Sequence, residues 1–526
     1  MKLIEKIMLF VLVAISIFCH SEKMVDAYIV PKWCYTLSAL LLILIYLSIK
    51  HLIVKQYNHI INLLDISRIV LLLCLTLSIW GILQYIEWLP SFSAFKVVGN
   101  YDNPAGFAAT LSISFPLVWY LLKNTTKQAE RIIAYIVIVA MTVAVLLSAS
   151  RAGIVTIAIW FGMLAYDKIE LPNYVKKTAS VLLAIALFVV VYALKKDSAD
   201  GRLLIWRCAL EMISDSPYVG YGWGGFKANY MDYQACYFEQ NPNSPYAMLA
   251  DNVQSPFNEY LNVLINWGVI GFLIIASGFV YLFYIHHKHP TSKSKVAITS
   301  IITIAVFSLF SYPFTYPYPW LILIISIAVI INECVKINVS HGKLATLFCL
   351  TILFASSILL HEVVTRIEAE YKWKSILYRN DDYALKAYKE LNQELGSDPY
   401  FLYSYAVNLY QQGCIDASLE VANACDKYWA DYDLQLLLGT IYHDKLMYDD
   451  AIHHYKRAAL MCPNRFIPLE KLMDVYMTCG KRSDCYQIAL TILEKPVKVP
   501  SINIQIIKRK AKGIINQMLN EKDTIM

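Results

Sequence analysis

Long apolar stretches recur through the first two-thirds of the chain and predict membrane-spanning helices. Each can cross about 30 Å of hydrocarbon, and only a helix satisfies its own backbone there. We predict about eleven spans, at residues 3–19, 33–49, 68–88, 104–122, 132–149, 152–166, 178–194, 259–285, 296–311, 319–335 and 343–362. The pair of spans around residues 312–320 leaves open a single broken unit. We therefore expect residues 1–363 to form an all-α, polytopic membrane helix bundle.

The first span has a competing interpretation. Lys2 and Lys6 precede a short apolar core, as in a cleaved signal peptide, and Cys19 suggests a lipoprotein. Processing requires a small residue at the place where Phe18 stands. We therefore expect this stretch to remain in the mature protein as a span.

The apolar pattern stops at residues 195–256, a polar and aromatic loop of about sixty residues. A loop this long is functional or a linker, and its aromatic content argues against a linker. Asp200 is expected to cap a helix over residues 201–213, which the run Asp215-Ser216-Pro217 ends. Chemistry is therefore expected in this loop.

Beyond residue 365 a period of about 34 residues appears, the length of a tetratricopeptide unit. The clearest copy starts at Tyr432 and has small, aromatic and helix-ending residues at Leu438, Gly439, Tyr442, Ala451, Tyr455, Ala458 and Pro463. Each unit buries its apolar face only against its neighbours. We expect residues 365–526 to form an α-solenoid that holds a partner, such as a protein, or steadies the membrane domain.

Charge gives the expected orientation. With the N-terminus in the cytoplasm, sixteen lysines and arginines of the short loops lie inside and four outside. The long loop and the repeats are then extracytoplasmic. The net charge of +6 follows from this bias and does not indicate nucleic-acid binding.

The twelve cysteines predict neither a disulfide framework nor a zinc site. Several lie in or beside spans, and others occupy packing positions of the repeats. Two pairs stay open as bridges, Cys208 with Cys236 and Cys479 with Cys485.

Three arginines are candidates for binding an anionic group. Arg202 shares a helix face with Trp206 and has no acidic residue at helical spacing, so it suits a diphosphate. Arg207 has Glu211 four residues on, and a local salt bridge is the competing explanation. Arg151 begins a span, where arginine is costly unless it snorkels or pairs with an anion.

The run from Gly220 to Gly225 is expected to be a tight turn, because it lacks the strand and the lysine of a nucleotide-binding loop. Tyr221 and Trp223 are then available to stack on sugar rings. An aromatic belt at the membrane interface explains them equally well.

Two other polar segments call for an interpretation. Residues 99–107, which include Asn103, suit a re-entrant or capping turn. The run Asp431-Tyr432-Asp433 has the spacing of an acidic metal-binding pair. Because it falls between helices of the repeats, we interpret it as a solvated turn.

Together these motifs resemble, in their order, those of O-antigen ligases: residues 99–107, Ser150-Arg151, Gly201-Arg202 with Trp206, residues 220–225, and Asn258-Glu259-Tyr260-Leu261 followed by residues 268–271. The resemblance spans roughly residues 60–340. It implies an inverting glycosyltransferase, without metal or cofactor, in a bacterial inner membrane. Such an enzyme moves a glycan from an undecaprenyl-diphosphate carrier to a lipid A-core or protein acceptor on the periplasmic side.

The resemblance also implies roles for residues. Arg151 and Arg202 would hold the diphosphate with help from Arg207, while Tyr221, Trp223 and Asn103 would contact substrate. Family members usually carry a histidine where this chain has Phe257. Glu259 is the nearest replacement base, with Asn258 orienting the acceptor. A helix-capping role explains Glu259 equally well.

Other functions stay open. A glycan polymerase would use a second lipid-linked glycan as acceptor, and a protein O-oligosaccharyltransferase would use a protein. A non-catalytic scaffold for glycan assembly is a further class. A transporter is disfavoured, because few charged residues fall in mid-span and no inverted pair of Gly/Pro-broken helices is evident.

Overall fold

A computed structural model describes residues 3–54, 62–91, 93–168, 196–335 and 343–525, with a few isolated positions between 169 and 195. Over these residues the chain is all-helical, with 78% helix and no strand. Contacts divide it into two compact units. Unit 1 comprises Met1–Leu194, Phe257–Tyr260 and Leu273–Ser375, and unit 2 comprises Lys195–Pro256, Leu261–Phe272 and Ile376–Met526.

The predicted spans are helices wherever the structure describes them. They are α1 (Leu3–Phe18), α2 (Ile29–Val54), α3 (Leu63–Tyr85), α4 (Pro104–Asn124), α5 (Gln128–Leu147), α6 (Arg151–Lys168), α9 (Glu259–Lys288), α10 (Ser292–Ser308), α11 (Pro317–Val335) and α12 (Lys343–Ile376). Of the described helices, seven are long and apolar enough to cross a membrane, namely α2, α3, α4, α5, α9, α11 and α12. The predicted span at 178–194 lies outside the described residues.

Helix α4 is the centre of unit 1. It contacts α3, α5, α6, α10 and α11, and most of its residues from Gly106 to Leu122 are buried. Small residues make this packing close, as in other membrane bundles. A Cβ on Gly153 of α6 would lie 2.8 Å from the Cβ of Ala108, so only glycine fits there. The ring of Trp160 then packs 5.1 Å from that of Phe115, so α4 and α6 run parallel.

The structure adds detail at two places among the spans. A short 3-10 turn, Pro313–Thr315, separates α10 from α11, so the two predicted spans are two helices and the alternative of one broken unit is not needed. Helix α12 continues without a break to Ile376, beyond the end of the predicted span at residues 343–362.

Unit 2 contains the long loop and the C-terminal helices. Its helices are α7 (Lys196–Asp215), α8 (Gly225–Gln240), α13 (Asp382–Leu395), α14 (Pro399–Gln411), α15 (Ile415–Asp426), α16 (Tyr432–Asp444), α17 (Tyr448–Met461), α18 (Ile467–Thr478), α19 (Arg482–Glu494) and α20 (Ile502–Ile525). From α13 to α20 each helix packs on the next. The contact between α13 and α14 is less extensive than those between the later helices.

Most positions selected by the period of 34 residues are buried in unit 2, while Tyr442 and Pro463 are half-buried. Ala451, Tyr455 and Ala458 are at most 1% exposed. Gly439 is a position where only glycine fits, because a Cβ would lie 2.6 Å from a ring carbon of Tyr455. The tetratricopeptide assignment itself stays a prediction.

Two local expectations in unit 2 were wrong. Helix α7 begins by Lys196, so Asp200 lies inside the helix and does not cap it. Asp431 is fully buried and caps α16 by accepting from the backbone N–H groups of Asp433 and Leu434, so the acidic run is not a solvated turn. The twelve cysteines of both units are free thiols, so neither of the two pairs that the sequence left open forms a bridge.

Candidate functional site

The segment before α4 is a closely held loop in unit 1. Gly99 has a φ of 58°, a conformation that favours glycine. The Gln84 side chain accepts from the backbone N–H groups of Val98 (3.0 Å) and Gly99 (2.7 Å) and donates to the Gly99 carbonyl (3.0 Å). The buried ammonium of Lys32 donates to the Asn100 carbonyl at 2.7 Å. These contacts fix the loop that leads to Asn103.

Asn103 caps α4 and links it to two tyrosines. Its side-chain oxygen accepts from Ala105 N at 2.8 Å. Its amide nitrogen donates to the hydroxyl oxygens of Tyr312 (3.2 Å) and Tyr316 (3.0 Å). The Asp102 carboxylate accepts from the same amide (2.7 Å) and from the Tyr316 hydroxyl (2.6 Å). Asp102, Asn103, Tyr312 and Tyr316 therefore form one polar cluster, here called the Asp102 cluster.

Glu259 lies beside the turn that carries these tyrosines. It is the first residue of α9 and is 9% exposed. Its Oε1 accepts from the backbone N–H of Phe314 at 3.2 Å, so it holds the 3-10 turn. Asn258 accepts from Tyr260 N at 2.9 Å. Phe257 has a φ of 53°, and its ring packs 5.3 Å from that of Tyr312. The Asn258–Glu259 motif therefore adjoins the Asp102 cluster.

Arg151 lies at the same end of unit 1. It is the first residue of α6 and is partly buried. Two residues later, Gly153 packs on Ala108, which is five residues from the cap of α4. Since both helices rise about 1.5 Å per residue and run parallel, their first turns lie at one end of the bundle. Unit 1 thus gathers an arginine, two carboxylates and two tyrosine hydroxyls at one end.

In unit 2 the glycine run is a tight turn joined to the start of α9. Gly220, Gly222 and Gly224 have φ values of 68°, 83° and 82°. Backbone bonds run from Tyr221 N to the Ile265 carbonyl (2.8 Å), from Gly222 N to Asn266, from Val269 N to Pro217 and from Ile270 N to Tyr218. Gly268 leaves the helical conformation, at φ 61° and ψ −169°. The expected continuous span is therefore broken at Gly268, where this loop attaches; we call residues 217–222 with 265–270 the turn clamp.

Arg202 and Arg207 both lie on α7, which packs against α8. The Arg207 guanidinium lies over the Tyr237 ring of α8 at 5.0 Å. Among the ion pairs of the described residues, none joins Arg207 to Glu211, so the competing explanation of a local salt bridge is not supported. The Trp206 indole donates to the Pro256 carbonyl at 2.9 Å. This bond joins α7, at the start of the long loop, to Pro256 at its end.

The aromatic residues of the turn have different surroundings. Trp223 is 86% exposed, and its ring lies 6.5 Å from that of Trp267. The Tyr221 hydroxyl pairs with that of Tyr233 at 2.6 Å, and Tyr233 donates to Asp215 at 2.6 Å. Burial, the Asp215 carboxylate and Tyr221 raise the pKa of Tyr233. Trp223 is thus available to a ligand, whereas Tyr221 fixes the turn.

The Asp102 cluster was only partly found from the sequence. Asn103 was named as a substrate contact, but Asp102, Tyr312 and Tyr316 were not. The available signal was two outward segments, one at residues 99–107 and one rich in tyrosine and proline at residues 312–319. Nothing in the sequence alone joins two segments about 200 residues apart.

Comparison with known proteins bears on the same region. Residues 136–276 match the model of a family described as O-antigen ligase. The match includes Arg151, Arg202, Arg207 and Glu259, and supports a glycan ligase- or polymerase-type function. With the apolar helices, it indicates a multi-pass membrane protein that transfers glycosyl groups. A search of curated proteins found no match.

Proposed function

We propose that the protein transfers a glycan from an undecaprenyl-diphosphate carrier to an acceptor outside the cytoplasm, as an O-antigen ligase does. The match over residues 136–276 carries the proposal, because it contains three of the arginines and Glu259. The distribution of lysine and arginine supports an extracytoplasmic site in a bacterial inner membrane. The acceptor class, lipid A-core or protein, is an outcome of the test below.

The reaction needs little beyond charge compensation and one base. The acceptor hydroxyl oxygen attacks the anomeric carbon from the face opposite the diphosphate. The bond from that carbon to the diphosphate oxygen breaks, and the configuration inverts. Arg151 and Arg202 neutralise the charge that develops on the leaving diphosphate, as preorganised cations do at other sites. Neither metal nor cofactor is required.

Glu259 takes the acceptor proton in this proposal. Its carboxylate is buried and held by the Phe314 N–H, so its orientation is fixed. Asn258, Asn103 and Tyr312 supply hydrogen-bonding groups beside it for an acceptor hydroxyl. Trp223, exposed on unit 2, offers a face for a sugar ring. Arg207 assists by charge from its place over Tyr237.

The test is complementation of a deletion strain with Arg151→Ala, Arg202→Ala or Glu259→Gln, each checked for insertion in the membrane. Loss of one preorganised arginine or of the base should lower transfer by about 100-fold or more. Arg509→Ala, which changes an exposed arginine of α20, is the matched control and should transfer normally.

The products distinguish the alternatives. A ligase variant accumulates full-length lipid-linked polymer and loses the conjugate, and labelling then identifies a lipid or protein acceptor. Accumulation of single repeat units instead indicates a polymerase. Unchanged products in all three variants would refute the site assignment and favour an assembly scaffold.

A further inference from the structure

The C-terminal helices of unit 2 are packed against the long loop. Helix α8 contacts α17. Gln234, fully buried on α8, donates to the Met461 carbonyl at 2.6 Å and to the Asp251 carbonyl at 3.0 Å. It also accepts from the buried Tyr230 hydroxyl at 2.7 Å. Because a buried amide that loses a hydrogen-bond partner destabilises the fold, these three bonds hold α8, α17 and residue 251 in one relative arrangement.

An ion pair joins the same two helices. The Arg457 guanidinium of α17 donates through Nε to Asp232 Oδ1 of α8 at 2.8 Å. The two side chains are 28% and 33% exposed. A second guanidinium nitrogen lies 4.0 Å from Asp426 of α15. Arg457 therefore ties α8 to two of the C-terminal helices.

The far end of the loop is tied to the C-terminal helices as well. Asn464 donates to the Ala250 carbonyl at 2.6 Å, and Arg465 pairs with Asp251 at 2.9 Å. Asn252 donates to the buried Asp431 carboxylate at 2.6 Å. Burial raises the pKa of Asp431, and the Asn252 hydrogen bond lowers it. The C-terminal helices thus contact residues 250–252 of the loop as well as α8.

We propose that the C-terminal helices are a positioning element of the transferase, with Arg457 and Asp232 as the positioning pair. The proposal rests on the proposed function, since it concerns the arginines of that site. Helix α8, held by α17, carries Tyr237, and the ring of Tyr237 supports Arg207. Helix α7, which bears Arg202 and Arg207, packs on α8. The ligand of the repeats is then the catalytic loop of the same chain.

The test is charge reversal in the full-length protein. Asp232→Arg and Arg457→Asp each place like charges together, and the double variant restores an opposite pair beside Asp426. Each single variant should lower kcat about tenfold or more, and the double variant should return it to within about threefold of wild type. Asp232→Asn, which keeps an acceptor oxygen, is the milder variant and should lower kcat a few-fold.

Hydrogen exchange separates positioning from general damage. Residues 200–215 and 225–240 should exchange faster in the single variants and at the wild-type rate in the double variant. The control is Lys481→Asp, which breaks an exposed ion pair with Asp449 (2.8 Å) that lies in the C-terminal part of unit 2 and includes no residue of the long loop. It should change neither kcat nor exchange in these segments.

The outcomes are decisive in both directions. Restoration of both kcat and exchange by the double variant supports the proposal. Wild-type kcat in the single variants, or exchange restored without kcat, overturns it. If the wild type transfers no glycan at all, the proposed function fails. Exchange in residues 200–215 then tests the coupling alone, and an unchanged rate in both single variants refutes it.

Discussion

Replacing Gly220 by alanine should open the turn clamp. Gly220 has a φ of 68°, so alanine there is strained by about 1–2 kcal/mol. A Cβ would also lie 2.6 Å from Asn266 C and 2.7 Å from Trp267 N, which are backbone atoms that cannot rotate away. The turn must therefore separate from the start of α9.

The magnitude follows from the bonds that separation breaks. The two nearest, from Tyr221 N at 2.8 Å and Gly222 N at 2.9 Å, contribute about 0.5–1.5 kcal/mol each. With the strain, Gly220→Ala should lower the local opening free energy by about 2–5 kcal/mol. Gly222 provides the matched control, because its φ of 83° gives similar strain but nothing lies within 4 Å of a Cβ. Gly222→Ala should cost only about 1–2 kcal/mol.

Hydrogen exchange of the full-length protein in detergent measures this opening free energy directly. Peptides covering residues 217–224 and 265–272 should lose protection by about 30-fold or more in Gly220→Ala, and by at most about 30-fold in Gly222→Ala. Equal loss of protection in the two variants would show that the close backbone approach has no energetic role. Unchanged protection in both would refute the turn clamp itself.

Three further predictions concern other parts of the chain. Burial lowers the pKa of His454 to about 4 from 6.5, so its stabilising contribution is present above pH 6.5 and is lost as pH falls towards 4. Between pH 6.5 and pH 4 the Tm of the wild type should therefore fall more than the Tm of His454→Asn. The corresponding difference in unfolding free energy is at most about 3 kcal/mol. Asp102→Asn keeps the shape but removes the charge that accepts from Tyr316 and Asn103 beside Glu259, so it should lower transfer about tenfold with little change in Tm. Loss of Tm without loss of transfer would contradict this. Gly439→Ala, which overpacks an aromatic ring, should lower Tm at a cost of about 1–3 kcal/mol. Gly513→Ala, in open space on α20, should not lower it.

Several features of the site were predictable because they are local. An asparagine followed by Pro104 predicts a capped helix start, and Asn103 caps α4. Closely spaced glycines predict a turn, and three of them have positive φ. The partner of Arg207 was not predictable in this way. Glu211 stands at the right helical spacing, but the Tyr237 ring, from another helix, takes that place.

The sequence by itself determined the helical membrane class and the repeating pattern of the C-terminal part. The length of an apolar stretch and the period of its apolar residues can be read from consecutive residues. They are enough to predict that a helix crosses a bilayer or packs against a neighbouring helix. Only the tertiary structure joined Asp102 to Tyr316, and Asp232 to Arg457. Each of these contacts pairs residues more than 200 positions apart. They depend on how whole helices pack, and a polar side chain carries no local signal of the distant partner that burial will give it.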